Sequence, residues 1–258
     1  MNVVLIFTDQ QHKYALGKVS PWISTPNLDR LCEQGVRFSN AYSNAPICGP
    51  FRGTLFSGTY ISECGTLHNG DPLPSHLPCM AETFTQAGYE TGFVGKWHLG
   101  YTPETMPNGQ GFDSSFGHMG GCIDNYSHFF YWVGPNRHDL WRNGTEIHRD
   151  GEFFLDMMVD EGQQFIKTNQ EKPFFLYWAI NAPHYPMQGT TKWRERYKDM
   201  PSPRRQYAAF TSTVFSRNTV THGNNYDGAS GGAAYISSSN VTLSSCLFYR
   251  SLATVTSY

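Results

Sequence analysis

The segment Cys48-Gly49-Pro50-Phe51-Arg52 places a thiol, a rigid turn and a permanent cation within one turn of a predicted helix. A cysteine at the start of a helix lies near unpaired backbone N–H groups, which favour an anionic sulfur. Pro50 suits the first helical turn, and the Arg52 guanidinium could hold a tetrahedral oxyanion. The segment therefore predicts a nucleophile that acts on an anionic substrate, with a buried structural cysteine beside a surface arginine as an alternative of equal weight.

Three further segments bring polar side chains to the ends of predicted strands. Lys96 and His98 follow one strand on the same side, and they provide an anion-binding cation and a proton-transfer group. His184 lies in a loop directly after an apolar strand, at the sheet edge where α/β proteins bind ligands. Asp9 follows the first strand, where a carboxylate could hold a hard cation.

The elements that position these residues alternate between strands and helices, which is typical of an α/β layered sheet. A cap at Thr25 and a stop at Gly35 predict a helix over Pro26 to Gln34. Two more helices are predicted from about Pro78 to Gly88 and from Glu152 to Asn169. The predicted strands are Asn2 to Phe7, Val36 to Ala41, Glu90 to Val94 and Phe174 to Ala179.

Two regions depart from this alternation. The chain between Gly100 and Asp150 is crowded with glycine, asparagine, histidine and aromatic residues without a sustained period, which predicts a long loop region over the site. From about Thr211 the charged residues nearly vanish, and Ser212 to Arg217 is echoed by Ser245 to Arg250. This tail resembles the parallel β-helix repeats of bacterial surface proteins, and a low-complexity tail is the alternative.

The bulk properties exclude several classes of protein. A net charge of -2 over 258 residues, with no basic block, argues against nucleic-acid and membrane partners. No apolar run approaches the length of a membrane span, and Met1 to Phe7 reads as a strand and not as an export signal. The six cysteines lie far apart without a C-x-x-C pair that would suggest structural zinc. The cellular location stays open.

Taken together, these segments resemble the sulfatase family of the alkaline phosphatase superfamily, over Asn2 to about Phe210. Cys48, Pro50 and Arg52 match the family's C-x-P-x-R pattern, whose cysteine is converted to formylglycine. The second family signature matches Gly88 to His98 at every defined position. Further counterparts are Asp9-Gln10, Gly111-Phe112-Asp113, Gly120-Gly121 and Ala182-Pro183-His184. The resemblance implies an α/β fold, with a layered and mostly parallel sheet flanked by helices as in alkaline phosphatase.

The resemblance also implies an activity, that of a sulfuric-ester hydrolase of the arylsulfatase or glycan-sulfatase type. Its cofactors would be formylglycine formed from Cys48 and a Ca²⁺ ion, with Mg²⁺ less favoured. Its partners would be a sulfate-ester small molecule or a sulfated glycan, and the formylglycine-generating enzyme. The implied metal ligands are Asp9, Gln10 and Cys48. The implied catalytic residues are Cys48, Arg52, Lys96, His98 and His184.

Each implied catalytic residue has a role in the resemblance. A hydroxyl of the hydrated aldehyde at position 48 would attack sulfur. Arg52 and Lys96 would stabilise the developing charge, and His98 would orient or deprotonate the attacking group. His184 would protonate the leaving alcohol. Relatives are often periplasmic or secreted.

The chain departs from the family pattern at several positions. Phe51 stands where a small residue usually precedes the arginine, and Ser57 stands where threonine is usual. These changes are expected to weaken recognition by the formylglycine-generating enzyme. The later Asp followed by Asn or His that completes the family's cation site, and a further lysine, have no counterpart. We therefore expect a truncated domain over residues 1–210, a tail over residues 211–258 and impaired activity.

Two other functions remain as alternatives. A phosphodiester or phosphonate monoester hydrolase of the same superfamily would use the same kind of site for another tetrahedral anion. A non-catalytic surface or adhesin fragment would use the aromatic loop region between Gly100 and Asp150 and the tail for binding. The many aromatic residues between Phe112 and Trp141 would suit stacking on sugars.

Overall fold

A computed structural model describes residues 1–132, 134–203 and 206–207. The strands are β1 (Val3–Thr8), β2 (Glu90–Lys96), β3 (Ser114–His118), β4 (Phe129–Phe130), β5 (Arg137–His138), β6 (Trp141–Arg142), β7 (Thr145–Glu146) and β8 (Phe174–Ile180). Six of them form one sheet in the order β1-β8-β2-β3-β6-β7, and β4 pairs with β5 in a separate antiparallel sheet. The neighbours from β1 to β3 are parallel, whereas β6 and β7 are antiparallel.

Helices cover both faces of the large sheet. They are α1 (Pro26–Gln34), α2 (Cys48–Ser57), α3 (Ile61–Cys64), α4 (Met80–Gln86), α5 (Phe154–Thr168) and α6 (Thr191–Arg196), and Pro107–Gln110 forms a 3-10 turn. α5 packs on one face of the sheet, and residues of α2 and α4 pack on the other. The arrangement is a mixed, mainly parallel α/β sheet between layers of helices, in agreement with the predicted fold class.

The strand β8 is the centre of the core, since it lies between β1 and β2 and every one of its residues is buried. Alternate side chains point to opposite faces of a strand. Leu176 and Trp178 accordingly pack with α5, whereas Phe175 and Tyr177 pack with the aromatic cluster under α2 and α4. Burial of each such side chain contributes about 1.5–3 kcal/mol. This two-sided burial fixes the register of the neighbouring strands.

Most of the predicted elements are confirmed. The helix α1 has its predicted bounds, and β1, β2, β8 and α5 lie within one to two residues of theirs. The strand predicted over Val36 to Ala41 is wrong, because Val36 makes only an isolated bridge and its side chain and that of Phe38 are 66% and 50% exposed. Without a paired neighbour, a strand's backbone groups gain no hydrogen bonds.

The loop prediction for residues 100–150 is also wrong in part, because β3 to β7 lie within it. β3 is a core strand, but four of its five residues are serine, glycine or histidine, and these do not give an apolar strand pattern. The predicted tail over residues 211–258 and the domain boundary at residue 210 lie outside the described residues and stay predictions. In the part of the chain that the structure describes, no helix is long and apolar enough to span a membrane.

The close approach of β2 and β8 requires a glycine at position 95. Gly95 has a φ of 119°, and a Cβ there would lie 2.0 Å from the carbonyl oxygen of Ala179 on β8. Gly95→Ala is therefore expected to destabilise the fold by about 3 kcal/mol or more, as measured by urea unfolding. Gly144→Ala is the matched control, since Gly144 has a φ of 73° but nothing within 4 Å of the added Cβ. Equal losses in the two variants would contradict the role of the backbone clash.

Candidate active site

The predicted site residues converge at one edge of the sheet, where the parallel strands have their carboxyl ends. Asp9 follows β1, Lys96 ends β2, and His184 lies in the loop after β8. The register places Thr8 beside Ile180 and Gly95 beside Ala179, so these strands end at nearly the same level. Ligand sites of open α/β sheets occur at this edge.

A buried ionic cluster lies at this edge. Lys96 Nζ donates a hydrogen bond to Asp9 Oδ2 at 2.5 Å, and Arg52 Nη2 donates to the same oxygen at 3.2 Å. The side chains of both cations are fully buried. Arg52 Nη1 also donates to the Lys96 carbonyl at 2.7 Å and to the Tyr177 hydroxyl at 3.0 Å. The cluster carries two positive charges and one negative charge, and therefore favours binding of an anion nearby.

The carboxylate of Asp9 remains ionised in this cluster. Burial raises its pKa, but the charges of Lys96, Arg52 and His184 oppose this effect and hold the pKa well below its ordinary value. Among the described residues, the hydrogen-bond donors to this carboxylate are Lys96 and Arg52, and both bind Oδ2. The other carboxylate oxygen is thus the one that suits a metal ion.

His98 is held as a neutral imidazole beside the ionic cluster. Its backbone has a φ of 63°, and its ring lies against Gly121, where a Cβ would approach Cε1 to 2.7 Å. Burial, Lys96 and Arg52 together lower the pKa of His98 well below its ordinary value. Its buried Nδ1 has no hydrogen-bond partner among the described residues. A neutral ring at physiological pH can accept a proton or a hydrogen bond.

Cys48 is the first residue of α2, at the helix start where the sequence predicted it, and it is half-buried. Its Sγ lies 3.5 Å from Asn69 Oδ1, and the same oxygen accepts a hydrogen bond from the backbone N–H of Gly49 at 3.0 Å. Asn69 thus fixes the first turn of α2, a role that the sequence did not reveal. Phe51, which departs from the family pattern, is buried and stacks on Phe7 with ring centroids 5.2 Å apart. The large Phe51 side chain therefore packs in the hydrophobic core.

Cys48, His98 and His184 line one cleft of about 370 Å³. His184 is half-buried there, and its Nδ1 lies 3.0 Å from the Tyr185 carbonyl oxygen. Gln10, by contrast, is exposed and has a φ of 61°. The structure therefore brings six of the seven predicted residues to the cleft or to the ionic cluster beside it, and gives Gln10 no buried position.

One group of cleft residues was not named individually in the sequence analysis, although Phe130 and Trp132 belong to the aromatic region between Phe112 and Trp141. Tyr101, Phe130, Trp132 and Arg137 form this part of the cleft wall. The Arg137 guanidinium lies 4.5 Å from the ring centroid of Tyr101 and 4.2 Å from that of Phe130, and it donates a hydrogen bond to the Tyr101 hydroxyl. A cation between aromatic rings suits an anionic ligand that also has an apolar face. The aromatic content of this region was the available signal.

A second residue missed by sequence reasoning is Asp139, whose carboxylate holds the turn after β3. It accepts hydrogen bonds from the backbone N–H groups of Met119 and Gly120, at 3.0 and 2.7 Å, and from Trp141 Nε1 at 2.8 Å. Burial raises the pKa of Asp139 against the effect of these donors. Gly121 follows Gly120 in the chain and lies against the ring of His98. Asp139 therefore positions His98 through the backbone of this turn.

Comparison with known proteins identifies the family. A sequence model of the sulfatase family, described as "Sulfatase", matches residues 1–233. The chain belongs to the sulfatase family. Its sheet with flanking helices is the alkaline-phosphatase-like α/β fold of solved sulfatases.

Relatives of this sulfatase-family chain include proteins from animals and bacteria. Arylsulfatase J of Mus musculus is 33% identical over 225 residues, which is 83% of this chain and 38% of the relative. The ulvan-active sulfatase of Formosa agariphila is 34% identical over 211 residues, which is 78% of this chain and 38% of the relative. The crystal structure of Ps i-CgsB in complex with k-i-k-neocarrahexaose superposes with a TM-score of 0.73 at 30% identity, over 83% of this chain and 52% of that one. The chain thus spans 38% of the length of these two curated relatives.

Proposed function

We propose that this chain carries the nucleophile half of a sulfuric-ester hydrolase site, with formylglycine derived from Cys48 and Ca²⁺ as cofactors. The observation that carries the proposal is the common cleft of Cys48, His98 and His184 beside the buried Asp9, Arg52 and Lys96. Members of the sulfatase family generally use formylglycine and Ca²⁺, which is consistent with this residue set.

The residues at the cluster suit a hard cation. Asp9 offers a carboxylate oxygen, Gln10 an amide oxygen and the hydrated residue 48 hydroxyl oxygens, and Ca²⁺ prefers such oxygen ligands. Ca²⁺ also accepts irregular coordination more readily than Mg²⁺ does. When bound, the ion would neutralise charge on the sulfate oxygens.

Each of the chain's own residues would have a separate role in the reaction. One hydroxyl of the hydrated residue 48 would attack sulfur, and the other would later expel sulfate. His98 is neutral and lines the same cleft as residue 48, so its ring can take up the proton from the attacking hydroxyl. His184 would donate a proton to the leaving alcohol. Arg52 and Lys96 would hold their positive charges next to the reacting group, where negative charge develops.

The cleft wall supports a sulfated glycan as substrate. The rings of Tyr101, Phe130 and Trp132 can stack on sugar faces, and Arg137 can pair with a second anionic group. One relative is named for its activity on ulvan, and a neighbour was solved with k-i-k-neocarrahexaose bound. The partner that converts Cys48 would be a formylglycine-generating enzyme acting on the unfolded segment around Cys48 to Arg52.

The function is tested by producing the chain with and without a co-expressed formylglycine-generating enzyme. Mass spectrometry of the Cys48 peptide is expected to show the aldehyde only with co-expression. The converted protein is then expected to hydrolyse an aryl sulfate at least about tenfold faster than an aryl phosphonate in the presence of Ca²⁺.

Three outcomes would contradict the proposal. An unmodified thiol after co-expression removes the nucleophile. A faster reaction with the phosphonate favours the phosphonate monoester hydrolase instead. If the converted protein hydrolyses neither ester in the presence of Ca²⁺, the chain has the residues of the site but not the proposed activity.

A further inference from the structure

A second cluster of metal-ligating side chains consists of residues that do not themselves line the cleft. His128 directly precedes β4, His138 ends β5, and Asp150 lies in the loop before α5. One ligand-type atom of each residue lies within 4.8 Å of the others. His128 is 0% exposed and the side chain of His138 is 6% exposed, whereas Asp150 is exposed.

The hydrogen bonds of the two histidines define which ring nitrogens carry protons. His128 Nε2 lies 3.0 Å from the Glu152 carbonyl oxygen, and a carbonyl can only accept, so Nε2 carries the proton. His138 Nδ1 lies 2.9 Å from Glu146 Oε1, and a carboxylate likewise accepts. Both rings are therefore held in one tautomer by an acceptor on their outer side.

The remaining nitrogens, His128 Nδ1 and His138 Nε2, are buried and have no hydrogen-bond partner among the described residues. His138 Nε2 faces Asp150 Oδ1 at 3.9 Å, which is too long for a hydrogen bond. Two buried lone pairs without donors are unfavourable, because each loses its hydration for no hydrogen bond. A cation between them and the carboxylate would satisfy all three groups.

We propose that His128, His138 and Asp150 bind a divalent transition-metal ion of the Zn²⁺ class, separate from the Ca²⁺ expected beside residue 48. Two neutral imidazoles and one carboxylate are a ligand set that suits Zn²⁺, and a water could supply the fourth ligand because Asp150 is exposed. Metal-binding histidines typically donate their other N–H to a carbonyl or a carboxylate. Glu152 and Glu146 supply these two acceptors.

The metal would fasten the small β4–β5 sheet to the loop before α5. His138 is the chain neighbour of Arg137, and these two residues make up β5. Arg137 in turn lies over the rings of Tyr101 and Phe130 in the cleft wall. Metal binding is thus expected to hold Arg137 in place without taking part in bond breaking.

The proposal is tested by titrating the chelator-treated chain with Zn²⁺ by calorimetry and with Co²⁺ by visible absorbance. The wild-type chain is expected to bind one Co²⁺ at this site. The complex is expected to show the d–d absorption of a tetrahedral Co²⁺ site and no near-ultraviolet band from a thiolate ligand. His138→Gln and Asp150→Asn are expected to weaken this binding by at least about 100-fold, and Glu146→Gln by about 10- to 100-fold. His128 is left intact because it is fully buried.

Two matched variants separate this site from others. His76→Gln removes an exposed histidine outside the cluster and is expected to leave the affinity unchanged. His148→Gln tests the alternative set of His138, Glu146 and His148, and is also expected to leave it unchanged. Loss of binding in His148→Gln but not in Asp150→Asn would overturn the assignment. If His138→Gln bound Zn²⁺ and Co²⁺ as tightly as the wild-type chain does, the proposed site itself would be overturned.

Discussion

The variant Asp9→Asn is expected to lose about 3–5 kcal/mol of folding stability at pH 7. In the folded chain Arg52 and Lys96 are fully buried and both donate hydrogen bonds to Asp9 Oδ2. Removal of the negative charge leaves two buried cations without a counter-ion, and their desolvation is then uncompensated. Urea unfolding, followed by circular dichroism, measures the loss. This loss is a large fraction of the total stability of folded domains, which is roughly 5–15 kcal/mol.

Asp160→Asn is the matched control for this variant, since Asp160 is an exposed carboxylate on α5. Its replacement is expected to change stability by less than about 0.5 kcal/mol. If Asp9→Asn were no more destabilising than Asp160→Asn, the ionic cluster would not be a stabilising feature of the fold.

The direction in which the pKa of Asp9 is shifted determines how folding stability depends on pH. The pKa of Asp9 is lowered in the folded chain, so its contribution is complete above the unfolded value of about 3.9 and is lost as the pH falls below it. The stability difference between the unmodified chain and Asp9→Asn is therefore expected to be constant between about pH 5 and 7 and to narrow below about pH 3.9. A constant difference at acid pH would contradict the lowered pKa.

The variant Cys48→Ala, co-expressed with the formylglycine-generating enzyme, is expected to carry no aldehyde and to hydrolyse an aryl sulfate at least ~10³-fold more slowly than the converted wild-type chain. Residue 48 is the proposed nucleophile, and neither His98 nor His184 can replace a hydroxyl that both attacks and is regenerated. The fold should be kept, because the Cys48 side chain is half-buried and its recorded hydrogen bond is a weak one of 3.5 Å to Asn69. Mass spectrometry and turnover are measured on the same sample.

Cys32→Ala is the matched control, because Cys32 is also a half-buried free cysteine but lies on α1. It is expected to keep both the aldehyde and the rate. Turnover that persists in Cys48→Ala, with unfolding curves unchanged, would rule out this residue as the nucleophile.

Much of the site was predictable because its residues carry their chemistry in short local patterns. Cys48 and Arg52 lie within one helical turn, and Lys96 and His98 follow one strand, so their proximity within each pair needs no knowledge of the fold. Local signals also gave α1 its bounds, through Pro26 at its first position and Gly35 after its end. β3 was not predictable, since Ser115, Gly117 and His118 are buried through their position between β2 and β6 and not because they are hydrophobic.

The amino-acid sequence alone determined the family, the candidate nucleophile and the strand ends where the polar residues lie. Only the three-dimensional structure shows which of these residues are in contact. Asp9 meets Arg52 and Lys96 across 43 and 87 positions of the chain, because β8 sets β1 and β2 in register on its two sides. The same packing gives Gln10 an exposed position and places Asp139 under the turn that supports His98. Such contacts depend on burial and register, which are properties of the assembled sheet and have no local pattern in the sequence.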